Sequence, residues 1–142
     1  MYEIGEKIAT RQAFGDTLLK LGSKHKNIVV FDADLSCSVK TDLFAKHFSD
    51  RHFNLGIAEA NMIGTACGFA LRGKISFAAT FAVFATGRTY DQIRASVCYP
   101  NLNVKIIGSH AGIMTGEDGA THQALEDIAL MRVLPNMKVF CP

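Results

Sequence analysis

The stretch "HFNLGIAEANMIGTACGFALRGKISFAAT", residues 52–80, decides the fold. It begins with a short extended segment at residues 52–55 and continues into a helical pattern over residues 57–73, which ends at Gly73. A second extended run follows at residues 74–80. Two strands joined by one helix predict a parallel pair with a crossover connection.

On both sides of this unit the chain alternates in the same way. The sequence predicts further helices at residues 8–25, 40–48, 88–99 and 121–133, and further strands at residues 27–33, 103–109 and 137–142. Runs such as "NIVVFDA" are rich in β-branched residues, as in strands that are buried on both faces. We therefore expect an α/β fold, doubly wound, with a mostly parallel sheet and helices on both faces.

Composition fits one globular domain over residues 1–142. The chain is 49% hydrophobic and 20% charged, which allows a sizeable core. Its 15 basic and 13 acidic residues give a net charge of only +2, so composition points to neither nucleic acid nor a membrane surface. The first residues, "MYEIGEKIATRQAF", resemble no signal or transit peptide, and four cysteines without paired spacing suggest buried thiols. We expect a cytoplasmic protein.

Glu59 is the only charged residue in the apolar segment 53–71. An ionised carboxylate in a core costs several kcal/mol unless a partner compensates it. The positions three and four residues away on a helix hold no Lys or Arg. The partner of Glu59 must therefore come from another part of the structure.

Four segments follow the predicted strands, at the edge where α/β sheets carry their binding sites. They are "DADLSCS" (32–38), "NLGIAE" (54–59), "TFAVFATGR" (80–88) and "GSHAGIMTGEDGATHQ" (108–123). The last combines four glycines with His110, Asp118 and His122, which suit proton transfer and hydrogen bonding with sugar hydroxyls. A metal site at the two histidines is a weaker alternative because their spacing is generic. Glu117 is interpreted as a solvated loop charge.

Taken together, these motifs resemble the pyrimidine-binding domain of transketolase, in the thiamine diphosphate-dependent superfamily. The resemblance covers nearly the whole chain. The matching motifs, in the family's order and approximate spacing, are "KIATRQAFGDTLLKL", "FDADLSCS", "FNLGIAEANMIGTACGFAL", "TFAVF", "YDQIR" and "GSHAGIMTGEDGATHQALEDIALMRVLPNM".

The resemblance implies thiamine diphosphate as cofactor and offers a partner for Glu59. In the family the corresponding glutamate hydrogen-bonds a ring nitrogen of the cofactor's aminopyrimidine and assists its activation. Phe84 would stack on the pyrimidine and Phe81 would line the same pocket. Asp34 matches an aspartate near the cofactor and the subunit contact.

The resemblance also implies a sugar phosphate substrate. His110 and His122 match positions near the reacting carbonyl and hydroxyl, and Asp118 matches a position at a sugar hydroxyl. Arg11 and Ser38 match positions that hold the sugar phosphate, and a guanidinium suits phosphate recognition.

Structural interpretations stay open for most of these residues. Arg11 would then be a helix-surface residue, Ser38 a cap, Asp34 a turn residue, Phe81 and Phe84 core residues, and His122 an N-terminal residue of the following helix.

Nothing in the sequence resembles the family's diphosphate- and metal-binding domain. The resemblance therefore implies an N-terminal diphosphate-binding transketolase subunit as partner, which would bind Mg²⁺ or Ca²⁺, whereas this chain would bind no metal. We expect the C-terminal half of a split transketolase, truncated before the final helix and strand of this domain and inactive alone. Within a homo- or hetero-oligomer it would transfer a two-carbon ketol unit between sugar phosphates, in the pentose phosphate pathway.

Two departures and three rivals qualify this interpretation. Ala120 stands where many members have Pro. The spacing from Phe84 to "YDQIR" is one residue longer than in some relatives, which leaves the roles of Thr86, Gly87 and Arg88 open. In the rival 1-deoxyxylulose-5-phosphate synthase, an Asp-Arg pair typically replaces "SHAGI", so Ser109 and His110 favour transketolase. A 2-oxoacid dehydrogenase beta subunit has the same fold but matches "GEDGATHQ" less well, and the third rival is a non-catalytic assembly module.

Overall fold

The computed structural model describes residues 2–142, which form four strands and six α-helices. The strands are β1 (Ile28–Asp32), β2 (His52–Asn54), β3 (Ile75–Phe81) and β4 (Val104–Ser109). The helices are α1 (Thr10–Lys24), α2 (Ser36–Val39), α3 (Asp42–His47), α4 (Glu59–Leu71), α5 (Tyr90–Gln92) and α6 (Asp127–Arg132). Single 3₁₀ turns occur at Ser49–Arg51, Gly116–Asp118 and Ala120–His122, and π-helical turns at Phe84–Arg88 and Ile93–Cys98.

The strands form one parallel sheet in the order β2-β1-β3-β4. One row of the register runs from Phe53 through Phe31 and Ala78 to Ile106. All four carboxyl ends therefore lie at one edge of the sheet, as the alternating pattern predicted. The expectation of an α/β fold with a parallel sheet is confirmed.

Alternate residues of β1 supply the cores on the two faces of the sheet. Phe31 packs with Met62 and Ile63 of α4 on one face. Val30 packs with Leu18 of α1 and Phe44 of α3 on the other. Full burial of such side chains stabilises the fold by about 1.5–3 kcal/mol each. Helices thus cover both faces, which confirms the doubly wound arrangement.

Close packing of α1 on α3 depends on a glycine. A Cβ atom at Gly22 would lie 2.4 Å from Cε2 of Phe44 and 2.9 Å from Cε2 of Phe48. Both phenylalanines belong to one aromatic pair, with ring centroids 4.9 Å apart. Gly22 therefore lets the helix backbone approach these rings more closely than any other residue would.

Three predicted elements differ from the structure. The strand predicted at residues 137–142 is wrong: these residues make no ladder pairing, Phe140 is 83% exposed, and β4 stays at the sheet edge. The helix predicted at 121–133 is shorter, because residues 120–122 form a 3₁₀ turn and Ala124 bonds the backbone of Gly112. The helix predicted at 88–99 begins earlier, at Phe84, in a π-helical turn.

The four cysteines differ in their exposure. Cys67 and Cys98 are buried as predicted, whereas Cys37 and Cys141 are exposed, and all four thiols are free.

None of the helices within residues 2–142 has the length and apolar character that crossing a bilayer requires.

Candidate functional site

Four rings converge where β3 and β4 end, and we call them the ring cluster: Phe81, Phe84, His110 and His122. Phe81 is the last residue of β3, and His110 directly follows β4, so the register of two adjacent strands brings them together. Their ring centroids lie 4.1 Å apart. Phe84 lies nearly parallel to Phe81, with centroids 6.1 Å apart.

His122 joins the ring cluster from the far end of a long loop. Its ring meets Phe84 edge-on, with centroids 5.1 Å apart. Two backbone hydrogen bonds between Gly112 and Ala124 close the base of the loop, at N···O distances of 2.8 and 3.2 Å. Two histidines that are twelve residues apart in sequence thus lie beside the same phenylalanine, Phe81.

His110 is fixed by hydrogen bonds at both ring nitrogens. Arg11 Nη1 lies 3.2 Å from Nε2, and Ser109 Oγ lies 2.9 Å from Nδ1. A guanidinium can only donate, so Nε2 accepts, and the proton of the neutral ring is on Nδ1. Burial and then the charge of Arg11 lower the pKa of His110, while Asp118 opposes them. This imidazole therefore stays neutral near physiological pH.

Glu59 is buried at the first residue of α4, with 5% of its side chain exposed. A carboxylate there benefits from the helix dipole. Arg88 Nη1 donates a hydrogen bond to Glu59 Oε1 at 2.7 Å, and the Arg88 guanidinium carbon lies 4.0 Å from the centroid of Phe84. Within the chain the carboxylate is thus compensated by an arginine 29 positions away.

Arg88 was not identified from the sequence as the partner of Glu59. The sequence predicted only that the partner of Glu59 lies outside its own helix, and the ion pair does join the start of α4 to the turn after β3. A usable signal existed: Arg88 is the only basic residue between Lys74 and Arg94, and it follows a predicted strand at the edge of the sheet that also receives Glu59.

Asp34 and Ser38 line a neighbouring cavity of about 220 Å³, after the end of β1. Asp34 has a left-handed backbone, with φ of 63°, and its N–H donates to Asn54 Oδ1 at 3.2 Å. Leu35 in the same loop packs with Phe81 and Phe84. Among the hydrogen bonds of residues 2–142, none joins Ser38 to Arg11, although the resemblance assigns both to one phosphate.

A buried aspartate beneath this loop was also missed from the sequence. Oδ2 of Asp32 accepts hydrogen bonds from Ser36 Oγ, Thr41 Oγ1 and His52 Nε2 at 2.7, 2.8 and 2.7 Å. Burial alone would raise the pKa of Asp32, but the hydrogen bonds, that of His52 foremost, outweigh it and hold the pKa below its ordinary value. Asp32 therefore anchors the segment after β1, in which Asp34 lies in the loop and Ser38 in α2.

The acidic residues of the long loop are exposed. Asp118 and Glu117 lie in the 3₁₀ turn Gly116–Asp118, and only Asp118 acts on His110 through its charge. In the part of the chain that the structure describes, no three His, Cys, Asp or Glu side chains gather as metal ligands would.

The geometry fits a flat heteroaromatic group. Glu59 offers a buried carboxylate to a ring N–H or amino group, and Phe84, a neighbouring half-buried ring, offers a face for stacking. An aminopyrimidine has both features. His110, His122 and Arg11 lie next along the sheet edge, where they could meet a polar substrate.

Comparison with known proteins agrees with this geometry. Residues 6–142 match the family model described as "Transketolase, pyrimidine binding domain". A "Putative transketolase C-terminal section" of Methanocaldococcus jannaschii is 58% identical over 132 residues, which cover 93% of this chain and 42% of that protein. A "6-deoxy-6-sulfo-D-fructose transketolase subunit SqwH" of a Clostridium strain is 42% identical over 132 residues, covering 93% and 41%.

A solved structure gives the same result. "Split gene transketolase, inactive beta4 tetramer" superposes with a TM-score of 0.79 at 58% identity, covering 92% of this chain and 41% of that one. The chain therefore spans less than half the length of these relatives.

Proposed function

The chain belongs to the family of transketolase pyrimidine-binding domains, and we propose that it supplies the pyrimidine-binding half of a thiamine diphosphate-dependent transketolase. Use of thiamine diphosphate is a property of that family. The complete enzyme would transfer a two-carbon ketol unit from a ketose phosphate to an aldose phosphate.

The observation that carries this proposal is the buried carboxylate of Glu59 beside the Phe84 ring. A dry carboxylate accepts a strong hydrogen bond from a protonated ring nitrogen and can share that proton. Glu59 would hold the aminopyrimidine, Phe84 would stack on it, and Phe81 would support Phe84 from the side. When bound, thiamine diphosphate supplies the nucleophile and the electron sink for ketol transfer.

The remaining site residues would handle the sugar. His110, which stays neutral, and His122 would orient the reacting carbonyl and hydroxyl, and Asp118 would accept a hydrogen bond from a sugar hydroxyl. Arg11 already holds His110 in place, and its guanidinium could also receive a phosphate. Ser38 would contact the phosphate, and Asp34 would lie near the cofactor at the subunit contact.

The proposed partner is an N-terminal diphosphate-binding transketolase subunit, which would bind the diphosphate with Mg²⁺ or Ca²⁺. The description of one relative as a C-terminal section and of another as a subunit supports a divided enzyme. A tetramer is named for the solved relative, so we also propose an oligomer. A cytoplasmic location and a place in the pentose phosphate pathway belong to the same proposal.

The test combines binding with turnover. The protein that carries this chain is titrated with thiamine diphosphate and Mg²⁺ by calorimetry, alone and with the diphosphate-binding subunit, and the mixture is then assayed for ketol transfer. We expect tight binding and turnover only in the mixture. Ketose phosphates and 6-deoxy-6-sulfofructose serve as alternative donors, because one relative is named for that sulfonated sugar.

Glu59→Gln separates this function from its rivals. The amide keeps the shape but loses the charge, so turnover should fall by at least about 100-fold, a typical contribution of a positioned proton-transfer group. Glu126→Gln, a change at an exposed glutamate, is the matched control and should keep full activity. Full activity of Glu59→Gln contradicts the cofactor role. Activity only with pyruvate as donor favours a deoxyxylulose phosphate synthase, and tight pairing without turnover favours the assembly module.

A further inference from the structure

Arg88 makes two contacts at the same time. Its Nη1 donates to Glu59 Oε1 at 2.7 Å, while its guanidinium carbon lies 4.0 Å from the centroid of the Phe84 ring. The group is flat and delocalised, it presents N–H donors at its edge to the carboxylate, and it covers the aromatic ring. An aminopyrimidine that bonds Glu59 and stacks on Phe84 would use the same two features.

We infer that Arg88 is a resident competitor for the pyrimidine, held between Glu59 and Phe84 and displaced when the cofactor binds. This inference rests on the proposed function. It assigns to Arg88, which the sequence left without a role, control over how tightly the pyrimidine is held.

The surroundings of Arg88 allow such an exchange. Its side chain is 51% exposed, and it ends the π-helical turn Phe84–Arg88. On the buried side of the same helix, the hydroxyls of Thr86 and Thr89 donate to the carbonyls of Ala82 and Ala85. The backbone is therefore anchored from the inside, and rotation of the Arg88 side chain alone would free both contacts.

Arg88 compensates the buried charge of Glu59 before the cofactor binds. Glu59 is 5% exposed, and a buried carboxylate without a partner destabilises a fold. With Arg88 in place, Glu59 is paired before the cofactor arrives, and the pyrimidine then takes over the pairing. Loading exchanges the guanidinium for a pyrimidine whose ring nitrogen takes up a proton, so the carboxylate keeps a hydrogen-bond donor throughout.

The test measures pyrimidine affinity after removal of the competitor. The complex with the diphosphate-binding subunit is titrated with 4-amino-5-hydroxymethyl-2-methylpyrimidine, a neutral probe that carries neither the thiazolium charge nor the phosphates. Loss of a cation therefore has no direct electrostatic effect on the probe. Arg88→Met keeps an apolar stem and loses both contacts, and we expect its Kd to fall about tenfold, the worth of a partly exposed charge-assisted hydrogen bond.

Two further variants complete the design. Arg94→Met makes the same change in net charge on the same helical segment, at a residue whose ion partner is Asp91, and its Kd should equal that of the wild type. Arg88→Lys keeps the charge but lacks the flat guanidinium, so its Kd should fall less than that of Arg88→Met. Thermal unfolding adds a second readout: Arg88→Met should lower the Tm of the free complex more than that of the probe-saturated complex.

The outcomes separate the two proposals. If the wild-type complex binds the probe and Arg88→Met binds it equally or more weakly, the competitor role is overturned while the proposed function stands. If the wild-type complex binds neither the probe nor thiamine diphosphate, the proposed function fails and the competitor role fails with it. Tighter binding by Arg88→Met, with Arg94→Met unchanged, supports the inference.

Discussion

His52 Nε2 lies 2.7 Å from Asp32 Oδ2, and this contact ties the short edge strand β2 to β1 next to the loop and helix α2, which carry Asp34 and Ser38. Asp32 is fully buried, and two hydroxyls from that loop region donate to the same oxygen. The position of the loop relative to the sheet therefore depends on one carboxylate.

Asp32→Asn should destabilise the fold by about 2 kcal/mol or more, because a neutral amide oxygen replaces a charged acceptor of three hydrogen bonds. The measurement is urea unfolding at neutral pH. Asp50→Asn, at an exposed aspartate just before β2, is the control and should change the free energy of unfolding by less than about 0.5 kcal/mol. Equal effects of the two substitutions would contradict the anchoring role.

Asp32 also predicts a pH dependence of stability. Its folded pKa lies below the ordinary value of about 3.9. The unfolded chain thus takes up the proton first, so this stabilisation is present above about pH 4 and is lost as the pH falls through the folded value. The free energies of unfolding of wild type and Asp32→Asn should approach each other as the pH falls through that acid range. A constant difference between them would contradict this pH dependence.

The pKa of His110 should respond in opposite directions to two neighbours. Arg11→Gln removes a nearby positive charge and should raise the pKa, whereas Asp118→Asn removes a negative charge and should lower it further. Burial, the largest cause, persists in both variants. Histidine ring resonances followed by NMR over about pH 5–8 measure the shifts; movement in the same direction would exclude the described geometry.

The lowered pKa of His110 has a consequence for stability. The unfolded chain binds this proton more readily, near the ordinary value of about 6.5. The stabilisation from neutral His110 is therefore present above that pH and is lost as the pH falls through the lower folded pKa. In Arg11→Gln the loss should be smaller.

Gly22→Ala should destabilise the fold by about 1–3 kcal/mol, since the new methyl group would overlap the Phe44 and Phe48 rings. Gly68 in α4 is the matched control, because a Cβ there meets no atom within 4 Å. Gly68→Ala should stabilise by about 0.4–1 kcal/mol through the unfolded chain. Thermal or urea unfolding of both variants measures the two changes in the free energy of unfolding. Changes of the same sign would contradict the packing of α1 on α3.

The four thiols should divide into two classes. Cys37 and Cys141 are exposed, whereas burial raises the pKa of Cys67 to about 11 and also raises that of Cys98. A disulfide reagent at about pH 8 should modify two cysteines quickly and the other two only after unfolding. Rapid modification of Cys67, located by peptide mass analysis, would show that the α4 core opens readily.

The sheet could be predicted because its strands carry their own signal. Every residue of β1, Ile28–Asp32, is buried, and a β-branched run buried on both faces has few other solutions. Residues 137–142 have a similar apolar character without forming a strand. The sheet edge at β4 has no further strand beside it within residues 2–142, so apolar character alone does not decide whether a segment pairs.

The candidate site was predictable in its components but less so in its contacts. Loops after strands gave Phe81, Phe84, His110 and His122, which the structure brings into one cluster. The Glu59–Arg88 and Asp32–His52 pairs could not be found from spacing, because each joins elements that meet only after the sheet has formed.

The long loop between β4 and α6 is closed at its base, so its ends are held independently of its tip. Because Gly112 and Ala124 bond each other, the two ends of the loop are held together below its tip, which comprises residues 113–121. The tip is not needed to hold these ends, although it carries Asp118, whose charge acts on His110. A change of sequence at the tip, other than at Asp118, can therefore leave the ring of His110 in its place beside Phe81.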